Sequence, residues 1–373
     1  VRTSMYRQKP QRKELIKPMS ETTINAAEIL HDATAVGASD IFIVAGLPLS
    51  YRVNGVLFHK GERLMPDSTE AFIRQIYDLT RSHTIDTFLK NGDDDFSFSI
   101  PGLSRFRVST YKQRGSLAAV IRVITFELPN PTQLGIPNAV MALSEYTKGM
   151  VLVTGPAGSG KSTTLACLGD RINTTKQDHI ITLEDPLEYL HHHKESIVSQ
   201  REISTDTENY LVALRAALRQ SPDVILLGEM RDFETIQTAM TAAETGHLVL
   251  SSLHTIGAAN TISRIIDVFD ASQQRQIAVQ LSMVLKAVVS QQLVPAKNGT
   301  LVPAFEIMAM TPAISNMIRD NKVHQIDGII YTSAREDMIS MDNSLLNLYR
   351  KGIITQETVI QYCTNPEMTR KKL

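Results

Sequence analysis

MVLVTGPAGSGKSTTL, residues 150–165, is the stretch whose reading decides the fold. An apolar run ends at Thr154. Gly155, Pro156, Ala157, Gly158, Ser159 and Gly160 then form a turn, and Lys161, Ser162 and Thr163 open a helix-compatible segment. The spacing is G-x-x-x-x-G-K-[ST], which predicts a strand, a glycine-rich loop and a helix start. Small residues let backbone N–H groups close around phosphate oxygens, and the helix N-terminus behind them adds partial positive charge. Lys161 is expected to reach the β and γ phosphates of ATP, and the Ser162 hydroxyl to ligate Mg²⁺.

Downstream of this stretch, apolar runs at 179–183, 224–227 and 248–253 alternate with helical patterns at 161–173, 207–220, 232–245 and 258–269. Strand and helix taking turns predicts a parallel sheet covered on both faces, hence an α/β nucleotide-binding core. Residues 272–293 read as one long helix, and shorter helices are expected over 313–321 and 343–351. Ligands bind at the carboxyl ends of strands in such sheets, so the polar residues ending each run are the candidates. Glu184 follows IITL and is assigned to orient or deprotonate the attacking water. Glu229 follows VILLG and is assigned to the metal, through water, because Gly228 occupies the place where many P-loop enzymes carry Asp. Asp232 fits a helix cap before Phe233. His254 lies at the carboxyl end of HLVLSSLH, near the phosphates, whereas His247 lies at its amino end. The tract His191–His193 lacks a second ligand cluster and reads as a loop, as does the turn at Asp93–Asp95.

Upstream, a helix is expected over 23–36, a strand over 40–44, and a hairpin over 49–58 with its turn at Asn54-Gly55. Helices over 68–79 and 82–90 precede strands over 95–99, 104–112 and 116–124. This half, 21–126, is therefore a mixed α+β domain. The stretch ELPNPTQLGIPNAV, 127–140, is rich in breakers and is read as the linker and hinge to a second domain, 141–373. Residues 1–20 carry a basic excess with little apolar periodicity and read as a flexible tail.

Lys and Arg total 38 against 39 Asp and Glu, a formal charge of -1, so no global field favours nucleic acid. A basic-aromatic stripe for single strands is also missing, so a nucleic-acid partner is not expected. The two cysteines, Cys167 and Cys363, are far apart in sequence and form no C-x-x-C pair that could hold zinc. No apolar run approaches the roughly 18 residues of a membrane span, and no signal peptide is read; the expected location is cytoplasmic.

GPAGSGKST, ITLEDPLEY, VILLGEMRD and TAAETGHLVLSSLHT, in this order, resemble the Walker A, Asp box, Walker B and His box of secretion-superfamily hexameric ATPases. GLSRFRVSTYKQRG and AISNMIRDNKVHQI are similar to segments of the type IV pilus retraction ATPases within that superfamily. Extension and type II secretion ATPases carry a tetracysteine element that this chain lacks. The resemblance implies a RecA-like P-loop core preceded by a smaller PAS-like α+β domain and followed by C-terminal helices. It further implies a homohexamer in which the first domain of one subunit packs on the ATPase domain of its neighbour. Such a ring would drive pilus retraction and twitching motility from the inner face of the cytoplasmic membrane, on an inner-membrane pilus platform protein. By the same resemblance Arg105, Arg107, Arg114 and Arg122 approach the γ-phosphate or the subunit boundary, where a guanidinium stabilises charge developing in phosphoryl transfer. Asp40-Ile41-Phe42 departs from the family's Asp-Leu-His, and Ser221 stands where Asp is usual.

Overall fold

The computed structural model describes residues 25–53, 55–80, 83–124 and 128–373. The basic tail 1–20, Asn54 of the expected hairpin turn, the start of the expected helix at Ser82 and the start of the linker at Glu127 lie outside them. The chain divides into two compact units, 1–125 and 126–373.

The first unit contains α1 (Ala26–Ala35), β1 (Asp40–Ile43), β2 (Pro48–Val53), β3 (Val56–Arg63), α2 (Pro66–Leu79), α3 (Ile85–Asn91), β4 (Asp93–Ile100), β5 (Ser104–Gln113) and β6 (Ser116–Ile124). The strands form one antiparallel sheet in the order β3-β2-β1-β6-β5-β4. Asn25 caps α1 by accepting from the N–H groups of Ala27 and Glu28, which satisfies two of the donors a helix start leaves open. Alternation decides what each strand presents. Phe106, Val108, Ile121 and Val123 turn inward to Phe72, Ile73 and Ile76 of α2 and Phe88 of α3. Arg105 and Arg107 occupy the alternate positions of β5.

The second unit contains α4 (Asn138–Met141), β7 (Gly149–Thr154), α5 (Lys161–Thr175), β8 (His179–Glu184), β9 (Ile197–Glu202), α6 (Tyr210–Ala217), β10 (Val224–Leu227), α7 (Phe233–Glu244), β11 (Leu248–Leu253), α8 (Ala258–Asp267), α9 (Ala271–Val284), β12 (Leu285–Pro295) and β13 (Leu301–Ala309). Then come α10 (Pro312–Arg319), α11 (Ile326–Thr332), α12 (Met341–Arg350), α13 (Gln356–Tyr362) and α14 (Pro366–Arg370). The seven strands run β13-β12-β7-β11-β10-β8-β9, all parallel except the edge strand β13. This is the RecA-like core expected of the sequence. Every residue of β7, β10 and β11 is buried, because helices cover both faces. Ile136 and Val140, from the proline-rich stretch, are also buried here, against Leu168 and Ile172 of α5.

The expected helix over 272–293 is corrected. It ends at Val284, and Leu285–Pro295 is a strand paired with β7 on one side and β13 on the other. LKAVVSQQLV has no sharp breaker before it, so its apolar positions continue the helical pattern. Its β-branched residues and two-sided burial decide for the sheet.

Candidate nucleotide site

The loop after β7 turns on three glycines at positive φ, two of which also lack space for a side chain. Gly155 has φ 141°, and a Cβ there would lie 2.1 Å from the Gln291 carbonyl oxygen of β12. Gly160, at φ 88°, would place a Cβ 2.9 Å from the Gln291 side-chain nitrogen, while Gly158, at φ 74°, faces open space. Thr164 in the first turn of α5 donates to Gln291 Oε1 at 2.7 Å. Gln291 thus clamps both ends of the loop. The sequence alone does not reveal it, because Gln291 falls within the helix expected over 272–293.

Lys161 is buried at the start of α5, and its Nζ donates to the Gly155 and Pro156 carbonyls, at 3.0 Å each. Burial lowers its pKa, and the nearby charges of Glu229 and Glu188 act against that shift. Ala157, Gly158, Lys161 and Ser162 line a cleft of about 250 Å³ whose other walls include Glu184, Tyr210, Glu229 and His254. Thr163 exchanges a 2.9 Å hydrogen bond with the Tyr189 hydroxyl, which keeps it beside the loop's outer wall.

The carboxylates arrive as the strand ends require. Glu184 closes β8, and burial pushes its carboxyl up to about 7, with Thr182 and Gln200 acting the other way. Glu229 follows Gly228 at the end of β10. It pairs with Arg231, and its Oε2 lies 3.2 Å from His254 Nε2. Burial would raise its pKa, but the Arg231 and His254 partners outweigh burial and hold it below the ordinary carboxylate range. One acid is therefore poised near neutrality and the other is fixed as an anion, the divergence that separates a proton acceptor from a charge-bearing ligand.

Gly228 explains this arrangement. Its N–H donates to the Leu183 carbonyl at 2.8 Å, its carbonyl accepts from Ser252 Oγ at 2.6 Å, and a Cβ would sit 2.8 Å from the Tyr210 hydroxyl. Tyr210, the first residue of α6, therefore reaches between the two acid-bearing strand ends. The sequence reading missed it, since a lone Tyr at a helix start carries no motif. Asp232 caps α7 through the Thr235 N–H and hydroxyl, at 2.8 and 2.9 Å. His247 is tied to the Ala242 carbonyl at the opposite end of β11 from His254. His191 is buried beside Asp170 and lines the cleft, and His193 Nδ1 accepts from the Val198 N–H. Among the described residues no group of three or more His, Cys, Asp or Glu side chains converges to hold a metal ion.

In the first unit, Arg107 and Arg122 are direct cross-strand partners, and Arg122 faces Asp40, which faces Arg52. Asp40 is buried and binds both flanking cations, Arg122 Nε at 3.3 Å and Arg52 Nη1 at 3.6 Å. The Arg52 guanidinium also lies 5.0 Å from the Phe42 ring centroid, so the departure at Phe42 is used as a cation–π platform. Arg105 is two residues from Arg107 on the same side of β5 and donates to Ser99 Oγ at 3.2 Å. Arg114 does not join this row. It stands in the β5–β6 turn at φ 48°, about 23 Å along the strand from Arg107 at the usual rise.

A P-loop strand and helix, acids at two adjacent strand ends and a cleft between them define an ATPase of the RecA-like class. The chain belongs to the family described as Type II/IV secretion system protein, whose model matches residues 17–351. Among its relatives, the type IV pilus retraction ATPase PilT of Pseudomonas aeruginosa is 43% identical over 92% of this chain and 99% of its own length. A twitching motility protein of Neisseria gonorrhoeae is 43% identical over 80% of each chain. A crystal structure of the pilus retraction motor PilT with bound ADP superposes with a TM-score of 0.83 at 43% identity, covering 92% of this chain and 98% of that one. The Legionella pneumophila ATPase DotB superposes at 0.77 with 26% identity, covering 92% and 97%. Among the described residues no helix is long and apolar enough to cross a membrane.

Proposed function

We propose that this chain is the subunit of a homohexameric Mg-ATP motor that retracts a type IV pilus and so powers twitching motility. The observation that carries the reading is the cleft that brings Lys161, Glu184 and Glu229 together. The loop N–H groups and Lys161 bind the phosphates, and the open space at Gly158 leaves room for them. Glu184, near neutrality, accepts the proton of the attacking water. Ser162 and Glu229 would hold Mg²⁺, which when bound neutralises charge on the β and γ phosphates. His254 steadies the Glu229 carboxylate from the strand beyond. The Arg107–Arg122 row supplies positive charge to the γ-phosphate bound by an adjacent subunit, and Arg105 supports it. Loss of that phosphate releases the contact and lets the two domains rotate.

The ring works at the inner face of the cytoplasmic membrane against an inner-membrane pilus platform protein. A secretion motor is the second reading, favoured by the likeness to a Type II secretion system protein E of Xanthomonas campestris, which at 37% identity over 64% of this chain is the weaker match beside the 43% over 92% of the retraction ATPase. The test joins two measurements. Purified protein should form a hexamer that hydrolyses ATP, with turnover abolished by Lys161→Ala, and deletion in the source cell should stop twitching while pili remain extended. Normal twitching after deletion would overturn the pilus assignment. A monomer without ATP turnover would overturn the motor reading.

A further inference from the structure

His254 stands at the head of a short loop that ends at Ala258, the first residue of α8. Two neighbouring strands hold this loop. The Gly257 N–H donates to Ser290 Oγ of β12 at 2.9 Å, and the Ala258 N–H donates to Glu306 Oε1 of β13 at 2.8 Å. Ser290 and Glu306 are themselves direct cross-strand partners, so the two acceptors move as one unit. Glu306 is only 7% exposed, which is costly for a carboxylate unless each oxygen has a partner. Its second oxygen has one: Oε2 accepts from the Met341 N–H, 3.4 Å away, at the first residue of α12. One buried carboxyl group therefore caps two helices that start at it; burial raises its pKa, and the Ala258 and Met341 N–H groups act the other way.

The connection continues beyond α12's first residue. Asp342 is 3% exposed and accepts from the Thr364 N–H at 2.5 Å, the Asn365 N–H at 3.0 Å and the Thr369 hydroxyl at 3.1 Å. These lie at and just before α14. Polar contacts joined by two short stretches of backbone, 254–258 and 341–342, thus lead from Glu229 and His254 in the cleft, through Glu306, to the last helices of the chain.

We infer that Glu306 is a positioning residue that fixes the His254 loop for turnover and couples its position to the C-terminal helices α12 to α14. The inference rests on the reading of the cleft as an ATP site. Glu306 touches no substrate; it acts through the loop. When His254 and Glu229 rearrange around a γ-phosphate, the Ala258 N–H and the Met341 N–H share one rigid acceptor, so a displacement at one is felt at the other.

Glu306→Gln tests this, because an amide keeps the shape but offers one acceptor oxygen, and its NH₂ opposes one of the two N–H groups. ATP binding, steady-state kinetics and hydrogen exchange at amides 256–262 and 341–346 are measured with and without Mg-ATP. In the wild type, nucleotide should change protection in both segments together. In Glu306→Gln, kcat should fall about tenfold with KM within about twofold, and the response at 341–346 should be lost while that at 256–262 persists. A variant with wild-type kcat and an intact response at 341–346 overturns the inference. Should the variant fail to fold, the wild type decides: nucleotide bound with no change at 341–346 overturns the coupling. Absence of any ATP binding overturns the ATP-site reading and the inference with it.

Discussion

Replacing Glu184 by Gln separates what the carboxylate costs from what it does. Burial holds this carboxyl at about 7, against an ordinary 4.5. At about 1.36 kcal/mol per pKa unit, the difference corresponds to roughly 3 kcal/mol. Because the folded chain holds the proton more tightly than the unfolded chain, this stability is fully present below about pH 4.5 and is lost as pH rises through about 7. Gln never ionises. Glu184→Gln should therefore match the wild type near pH 5 and exceed it at pH 8 by up to about 3 kcal/mol, or about 5–10 °C in Tm for a unit of this size. The assay is thermal unfolding of both proteins at pH 5 and pH 8 without nucleotide, with hydrolysis followed at pH 8. The variant should still bind ATP yet hydrolyse it at least about a hundredfold more slowly, and wild-type kcat/KM should rise with pH through about 7. A Tm gap that does not widen with pH would refute the burial argument. Hydrolysis at the wild-type rate would refute the assignment of the base.

The other expectations concern the loop, the acids' spacing and the arginine row. Gly155→Ala should abolish ATP binding, since its Cβ would meet a main-chain oxygen at 2.1 Å and the backbone sits at φ 141°; retained affinity in a nucleotide titration would contradict the clamp by Gln291. Gly228→Ala pushes on the Tyr210 hydroxyl and should lower kcat severalfold, with partial recovery in the double variant carrying Tyr210→Phe; equal loss in the single and double variants would show that Tyr210 is not the obstacle. Arg114→Ala should leave turnover far closer to wild type than Arg122→Ala does, as Arg114 stands apart from the Asp40-anchored row, and steady-state rates of the two variants decide it.

The parts of this molecule that the sequence announces are those where chemistry constrains neighbours in the chain. The loop 155–160 needs its glycines at fixed offsets, and Glu184, Glu229 and His254 each terminate an apolar run, so strand-end logic finds them without any structure. Gln291, Tyr210 and Glu306 have no such local signature. Gln291 acts on the loop only because β12 pairs with β7, and a run that could continue a helix concealed that strand. Tyr210 matters because Gly228, eighteen positions on, leaves space for its hydroxyl. Glu306 depends on the pairing of β12 with β13, which no periodicity in 301–309 announced. The first unit shows the same division. Alternation along β5 placed Arg105 and Arg107 on one side, but only the sheet order brings Asp40 and Arg52 into their row, and the two-residue turn carries Arg114 away from it.

Complementation in mixed rings tests the central claim, that one ATP site is built from the cleft of one subunit and the arginine row of another. Lys161→Ala subunits keep the arginines but lose the phosphate grip; subunits carrying Arg107→Ala and Arg122→Ala keep the cleft but lose the row. Each should be nearly inactive alone. Mixed in equal amounts and allowed to reassemble, they should recover a measurable fraction of wild-type ATP hydrolysis, because some boundaries pair an intact cleft with an intact row. Mixed rings that assemble and remain as inactive as either parent would contradict the shared site.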